Sequence, residues 1–526
     1  MNRINSTLKK ILQFLCNTKN KNVFIITIIT SLIVHFQLYA LMITGPDTLI
    51  NSMYHQADIW EPMLLRFGLD FIQIIKGNIV SPILATLMSN IFLGLTVILT
   101  IDIFKIKNKY FKYITAVLFA VAPNISATLT FFYCSDAYML GLFLATFSVF
   151  ILKKYDNKKY IILISGILIA FSMGMYQTYI SVTMVLCTAT LIIDILNKKE
   201  KKQIFGYAFK YILTGITGIV LYYVISHIIL LEKNLLVSNY SGADSIGMHT
   251  LLDIPRLMPE AYKSFFKYYF NDGMIPNTIW HTNLLYAITF AIILISIIYT
   301  LIKNKIYKEI LNVLVLIFFM LLTPICFCII EIMVPSVDMH ILMACSMIYI
   351  FPIFFATLEL LPKGKINKIF KFIVLFCSIL ISWNYMWQDN ASYIAIKTMQ
   401  NQAESTVLRL VAQVEQLDEY RPETPVLILG GLENNEYFNR KNTSIEAKKL
   451  YNRTWGFISD NSTIWWGNLD SWRKILYEYV GVNWNLVSEW ECSEIFETEQ
   501  YKSMKYFPEQ GSIKIINNTI VIKLSD

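Results

Sequence analysis

Residues 79–101 read IVSPILATLMSNIFLGLTVILTI and contain no charged side chain. A helix needs about 20 consecutive apolar residues to cross the hydrocarbon core of a bilayer, and this stretch is long enough. Comparable apolar runs occupy residues 22–43 and 371–387. The 526-residue chain is 55% hydrophobic and only 16% charged, which is too apolar for a protein whose whole surface faces water. We therefore predict a polytopic membrane protein.

Basic loops alternate with loops that are poor in lysine along the chain. Basic clusters lie at residues 3–21, 105–112, 153–159, 198–210, 303–308 and 363–371. Every second loop is basic, as expected if those loops stay in the cytoplasm, and the pattern predicts about eleven transmembrane helices with the N-terminus inside and the C-terminus outside. The first apolar run lacks a small-residue cleavage site and is predicted to be a retained helix. The lysine placement also explains the net charge of +8 without a nucleic-acid partner.

The composition divides the chain into two predicted domains. Residues 1–388 form a membrane all-α domain with long outer loops at residues 44–78 and 232–281. Residues 389–526 have the composition of a small soluble α/β domain, which the topology places outside the membrane.

Local patterns indicate the elements of the C-terminal domain. An amphipathic helix is predicted from apolar residues at helical spacing, namely Val407, Leu410, Val411, Val414 and Leu417. Residues 426–429 are a predicted buried strand followed by two glycines, and residues 513–524 are a predicted hairpin that turns at Asn517-Asn518. Three tryptophans, Trp465, Trp466 and Trp472, are suited either to stacking on sugar rings or to the core of this domain.

Both long outer loops contain an amphipathic segment. After Pro62, the polar residues Arg66, Asp70 and Gln73 recur at spacings of four and three, which predicts a short helix lying in the membrane interface. Residues 259–270 combine lysines with aromatic side chains, a composition that favours the headgroup layer.

Several polar side chains lie at the outer ends of predicted spans. Asp47, just beyond the first span, is suited to take a proton from an acceptor hydroxyl, and equally to cap or hydrate a helix end. Arg66 is suited to bind a phosphodiester with two hydrogen bonds, or to extend towards lipid headgroups. Asp136 can line a shared cleft with Tyr176 and Gln177, or cap its own helix.

Lys263 and Lys267 lie four residues apart within the second amphipathic segment. They allow the same two interpretations as Arg66, phosphate binding or contact with headgroups.

The sequence offers little support for metal or nucleotide chemistry. Most of the eight cysteines lie inside apolar runs, and Cys326 and Cys328 form CxC rather than a metal-ligand spacing. The chain has no Walker loop, no GxGxxG, no HExxH and no nucleophile elbow. We predict no metal site among the named residues and no cofactor, while a divalent cation stays an open alternative.

Six short motifs follow one another before residue 180. They are Gly45-Pro46-Asp47, Trp60-Glu61, Leu65-Arg66-Phe67-Gly68, Gly77-Asn78-Ile79-Val80-Ser81-Pro82, Phe132-Tyr133-Cys134-Ser135-Asp136-Ala137-Tyr138 and Ser172-Met173-Gly174-Met175-Tyr176-Gln177-Thr178-Tyr179. In this order they resemble the bacterial GtrII-like glucosyltransferases, which are similar to the wider GT-C class of polyprenyl-phosphate-sugar transferases. The later part of the chain resembles the family only in architecture.

The resemblance implies roles for individual residues. Asp47 becomes the general base and Glu61 a second acid, because the class usually carries an acid in the first outer loop. Many members have an arginine near the outer start of a late span, where this chain has Met339-His340. The residues expected to bind the donor phosphate or sugar are Arg66, Asp136, Tyr176, Gln177, Lys263 and Lys267.

The resemblance also implies a GT-C-like fold and a reaction. The expected enzyme lies in the bacterial plasma membrane and moves a sugar, glucose by family expectation, from undecaprenyl phosphate to a cell-surface glycan by inverting single displacement. One alternative is a transporter or flippase of lipid-linked saccharides, which would place polar residues near the bilayer midplane. Another is a non-catalytic scaffold that displays the outer domain.

Overall fold

The computed structural model describes residues 17–43, 51, 55, 59–246, 253–270, 281–334, 339–431, 435, 437 and 469–525. Its α-helices are α1 Thr18–Val34, α2 Phe36–Ala40, α3 Trp60–Met63, α4 Phe67–Ile75, α5 Pro82–Ile103, α6 Lys109–Ala120, α7 Pro123–Leu129, α8 Ser135–Lys154, α9 Tyr160–Met175, α10 Ile180–Leu196, α11 Lys201–Lys233, α12 Ile254–Phe270, α13 Thr282–Lys303, α14 Ile310–Phe327, α15 Ile330–Met333, α16 Ile350–Glu359, α17 Lys365–Glu415, α18 Leu469–Lys474 and α19 Glu499–Lys502. The strands are β1 Pro425–Leu429, β2 Asn485–Leu486, β3 Ile513–Ile516 and β4 Thr519–Lys523.

Short 3₁₀ segments extend or connect several of these helices. They are Gln177–Tyr179, Tyr240–Ser245, Ile306–Lys308, Ile341–Tyr349 and Glu489–Glu497, and a π-helical turn occupies Ile475–Val480.

The chain folds into two compact units. The first comprises Met1–Tyr39 with Met53–Asn390, and the second comprises Ala40–Ser52 with Ala391–Asp526.

Within the described residues, eight helical segments are long and apolar enough to cross a membrane. They are Pro82–Ile103, Ser135–Lys154, Gln177–Leu196, Lys201–Lys233, Thr282–Lys303, Ile310–Phe327, Ile341–Glu359 and Lys365–Thr398. A ninth is added if α6 and α7, which are bent by 45°, form one span. Helix α9 and the part of α1 from Asn20 to Val34 are apolar but shorter. The protein is a mainly helical membrane protein, and the total of eleven spans stays a prediction.

The first unit has a buried centre and a lipid-facing periphery. In the most apolar 18-residue stretch of Gln177–Leu196 and of Ile341–Glu359, 94% is buried inside the protein, whereas in that of α11 only 22% is buried. The exposed side chains of α11 are largely apolar, because hydrocarbon rather than water surrounds a transmembrane helix.

The second unit contains a four-stranded sheet in the order β2-β1-β4-β3. Strand β1 runs parallel to β2 and β4, and β3 and β4 form an antiparallel hairpin. Asn517 and Asn518 both have positive φ, 49° and 59°, as a two-residue hairpin turn requires. The predicted strand and hairpin are confirmed.

The core of the second unit confirms the predicted amphipathic helix. Val407, Leu410 and Val414 of α17 are fully buried against Trp472, which is 1% exposed. Trp472 is therefore a core residue, while Trp465 and Trp466 lie outside the described residues.

Candidate functional site

The first outer loop is built around a break between α3 and α4. Leu65 has φ +59° at this break, and the Arg66 amide donates to the Glu61 carbonyl over 2.8 Å. Two side chains from other elements hold the turn: Gln177 Nε2 donates to the Leu64 carbonyl over 2.6 Å, and the Tyr222 hydroxyl donates to the Leu65 carbonyl over 3.1 Å. The sequence predicted one helical stripe starting at Arg66, but Arg66 precedes α4 and lies on the break itself.

Helix α4 turns its polar side inwards. Asp70 and Gln73 are buried, and Asp70 Oδ2 accepts from the Lys233 amino group over 3.0 Å. On the other side Phe71, Ile74 and Ile75 are 52–65% exposed. An exposed apolar side is costly in water and favourable in lipid, so α4 has the surface of a helix embedded at the membrane interface.

Arg66 is partly buried and its guanidinium lies over the Tyr176 ring, 4.9 Å from the centroid. Among the described residues, its Nε is buried without a hydrogen-bond partner, and no carboxylate forms an ion pair with it. Burial and the nearby Arg66 charge lower the pKa of His340 to about 3, so His340 is neutral at physiological pH. A guanidinium that has an unused N–H donor and lies beside neutral groups is suited to bind an anion.

Glu61 forms a close pair with His55. The His55 Nε2 and the Glu61 Oε1 are 2.6 Å apart, and Glu61 is only 4% exposed. The second carboxylate oxygen, Oε2, has no hydrogen-bond partner among the described residues. The His55 ring packs edge-on against Tyr133, with centroids 4.8 Å apart. A carboxylate oriented by an imidazole is suited to proton transfer.

Lys76 connects the same loop to the start of α8. Its amino group donates to Asp136 Oδ1 and to the Tyr133 carbonyl, each over 2.9 Å. Asp136, which the sequence suggested as a cleft residue or a cap, is therefore the partner of a lysine. Its Oδ1 also accepts from the amide of Ala137.

The structure brings most of the predicted site residues together. Arg66, Glu61, Tyr176 and Gln177 share the α3–α4 break through the contacts above, and Asp136 joins them through Lys76 and Tyr133. Asp47, the predicted base, lies outside the described residues.

The contacts above do not include the two lysines of α12. Lys263 pairs with Glu260 of its own helix over 3.2 Å, and both side chains are exposed. Within the described part of the chain, no ion pair or hydrogen bond joins Lys263 or Lys267 to Arg66 or Glu61. Their assignment to donor binding stays a prediction.

Sequence reasoning missed His55, Lys76 and Lys233. Each pairs with a carboxylate in or near the first outer loop, at separations from 6 to 163 residues along the chain. The sequence does single out Lys76 in one respect, because it is the only lysine in the first outer loop, residues 44–78. Across the described residues, no group of three or more His, Cys, Asp or Glu side chains is arranged to hold a metal ion.

Comparison with known proteins identifies a family. The sequence model of the family described as Glucosyl transferase GtrII matches residues 63–357. No curated protein and no solved structure matches the chain significantly. The matched region covers more than half of the 526 residues and includes Arg66, Asp136, Tyr176, Gln177 and both α12 lysines. The chain therefore belongs to the glucosyl transferase GtrII family, and its family activity is that of a glucosyltransferase.

Proposed function

We propose that this glucosyltransferase takes glucose from a polyprenyl phosphate, undecaprenyl phosphate in bacteria, and transfers it to a hydroxyl of a cell-surface glycan. The reaction takes place at the outer face of the plasma membrane, on a GT-C-like fold. The donor is already activated by its phosphodiester, so the enzyme needs no nucleotide site.

The arrangement around Arg66 carries this proposal. A guanidinium with an unused, buried donor lies next to α4, whose other side exposes Phe71, Ile74 and Ile75. A lipid-linked sugar phosphate combines the two properties that this region complements, an anionic phosphate and a long apolar tail. A water-soluble nucleotide sugar has no tail to match the apolar side of α4.

The proposed reaction is a single displacement at C1 of the sugar. The Arg66 guanidinium binds the donor phosphate, and the Tyr176 ring fixes the plane of the guanidinium. The acceptor oxygen forms a bond to C1 as the bond from C1 to the phosphate oxygen breaks, and the configuration at C1 inverts. The acceptor proton passes to the carboxylate of Asp47, and polyprenyl phosphate leaves. Glu61, oriented by His55, is the second acid at this site.

Transfer by the purified protein in lipid nanodiscs tests the donor. We expect polyprenyl-phosphate glucose, but not UDP-glucose, to support glucosylation of extracted envelope glycan. Asp47→Asn should lower the rate by roughly 10²–10⁴-fold, the usual contribution of general base catalysis. Arg66→Gln should lower it by roughly 10²–10³-fold, as for other groups that stabilise developing charge. An arm with a chelator tests for a divalent cation.

The control for Arg66→Gln is Arg256→Gln, which removes the same charge from an exposed position at the start of α12. It should leave the rate unchanged. Transfer from UDP-glucose at an equal rate would contradict the lipid donor. Movement of the lipid-linked sugar between leaflets without transfer would instead support the transporter alternative.

A further inference from the structure

A polar cavity lies at the opposite end of α5 and α8 from the Arg66 region. Asp136 is in the first turn of α8 and Lys154 in its last, and a helix of 20 residues is about 30 Å long. The cavity has a volume of about 440 Å³. Its charged lining consists of four lysines, Lys105, Lys153, Lys154 and Lys199, and three aspartates, Asp102, Asp156 and Asp194. At this distance it cannot contribute to the glucosyl transfer site.

The protein itself already supplies donors to two of these aspartates. Asp194 accepts from the Lys199 amino group over 3.0 Å, and Asp156 accepts from the Tyr207 hydroxyl over 3.0 Å. These contacts reduce the capacity of the two carboxylates to bind a cation in the cavity.

Of the lysines that line the cavity, Lys153 keeps unused hydrogen-bond donors. Lys153 is partly buried and donates one hydrogen bond, to the Ile103 carbonyl over 2.9 Å, although an ammonium group has three donors. Among the described residues, Lys153 forms no ion pair with a carboxylate. Lys154 and Lys105 are exposed at the mouth of the cavity.

The charge and size of the cavity indicate its ligand. Four lysines against three aspartates leave one net positive charge, which is equal and opposite to the charge of a phosphodiester. The volume falls within the range of about 300–1,000 Å³ that small-molecule sites occupy. Helix α11, which contributes Tyr207 and Tyr211 to the wall, is mostly exposed to lipid. Basic pockets between transmembrane helices are a known way of binding phospholipid headgroups.

We propose that this cavity is a binding site for a phosphate group, delivered by the headgroup of an anionic membrane phospholipid or by soluble phosphate. The lysine pattern predicts that this end of the helices faces the cytoplasm. The site is independent of the proposed glucosyl donor, because it lies at the other end of the bundle and uses other residues.

The test compares two double variants of the full-length protein in detergent. Lys105→Gln with Lys154→Gln removes two charges from the cavity mouth. Lys158→Gln with Lys159→Gln removes two exposed charges from the neighbouring α8–α9 loop, outside the lining. Native mass spectrometry with added phosphatidylglycerol measures binding, with phosphatidylcholine as the comparison lipid. Melting temperatures without lipid show that both variants are folded.

We expect phosphatidylglycerol to bind more tightly than phosphatidylcholine. The cavity variant should lose roughly tenfold to thirtyfold in affinity, and the control variant should keep the wild-type value. Competition with inorganic phosphate then separates the sources: displacement at millimolar concentration identifies soluble phosphate as a ligand, and no displacement identifies the lipid. Equal loss in both variants, or no loss in either, would overturn the proposal.

Discussion

His340 lies within reach of the Arg66 charge at the start of the segment that ends in α16. Burial, reinforced by this charge, lowers the pKa of His340 to about 3. The imidazole is therefore neutral wherever the protein functions, and Arg66 does not compete with a second cation for its anion. Where other family members are expected to carry an arginine, this chain places a neutral group beside an arginine from the first outer loop.

The lowered pKa of His340 makes a prediction about stability. Because the unfolded chain binds a proton near pH 6.5 and the folded chain does not, stability is fully present above pH 6.5 and falls as the pH is lowered towards 3. His340→Gln removes this dependence. Thermal melting in detergent at pH 7 and pH 5 should show a loss of stability that is smaller by roughly 2 kcal/mol in the variant. An identical loss in both proteins would mean that His340 is protonated in the folded state.

For single residues, the sequence indicated the acidic member of the two pairs Lys76–Asp136 and His55–Glu61, but not the basic member. Asp136 and Glu61 could be identified because an acid close to hydrocarbon needs a partner or a function. Their partners Lys76 and His55 could not, since the choice of partner depends on folding: Lys76 and Asp136 are 60 residues apart in sequence. The sequence could not predict the contact between Arg66 and Tyr176 either, because it also depends on folding.

Among the elements, α4 shows what periodicity can and cannot predict. The spacing of Asp70 and Gln73 correctly indicates one polar side of a helix, while its position at the membrane interface stays a prediction. It does not indicate that this side faces the protein, nor that Leu65 adopts positive φ and ends the preceding turn. Both features depend on side chains of α11 and of the Gln177–Tyr179 turn, which are distant in sequence.

The close packing of α4 on α9 leads to a second prediction. A Cβ added at Gly68 would lie 2.9 Å from the carbonyl carbon of Gly174, which is backbone and cannot rotate away. Gly68→Ala should therefore displace the start of α4 and, with it, Arg66. A shift of about 1 Å at a positioning group can cost about 10²-fold in rate, so we expect transfer to fall by roughly tenfold to a hundredfold.

Gly206→Ala is the matched control for Gly68→Ala. Gly206 lies in α11, and an added Cβ there has no neighbour within 4 Å. The control should transfer glucose at the wild-type rate and be at least as stable, because alanine is the better helix former. Both rates are measured in the nanodisc assay. A normal rate for Gly68→Ala would show that the packing of α4 does not position Arg66.

For the whole molecule, hydropathy and lysine placement predicted the membrane class because both follow from the solvent around the protein rather than from side-chain packing. The same reasoning could not fix the number of spans. Helix α9 has only 16 residues, and α6 and α7 are bent by 45°. A short helix crosses a membrane only where the bilayer or the bundle compensates for its length, and a bent helix only where the surrounding protein satisfies its freed backbone groups. Both conditions depend on the assembled bundle.

Whether α9 crosses the membrane can be tested through the topology of the chain. Six of the eight candidate spans lie between Lys158 and Gln500 in the described residues, and α9 is a seventh apolar helix. An odd number of crossings places these two residues on opposite sides of the membrane, and an even number places them on the same side. In a Cys16→Ser and Cys492→Ser background, the six remaining cysteines are buried, so a cysteine introduced at either position can be labelled selectively. We expect a membrane-impermeant maleimide to label Gln500→Cys in intact cells and Lys158→Cys only after permeabilisation. Labelling of both variants in intact cells would mean that α9 does not cross the membrane. Labelling of Lys158→Cys alone in intact cells would place Arg66 on the cytoplasmic side, where an envelope glycan cannot reach it.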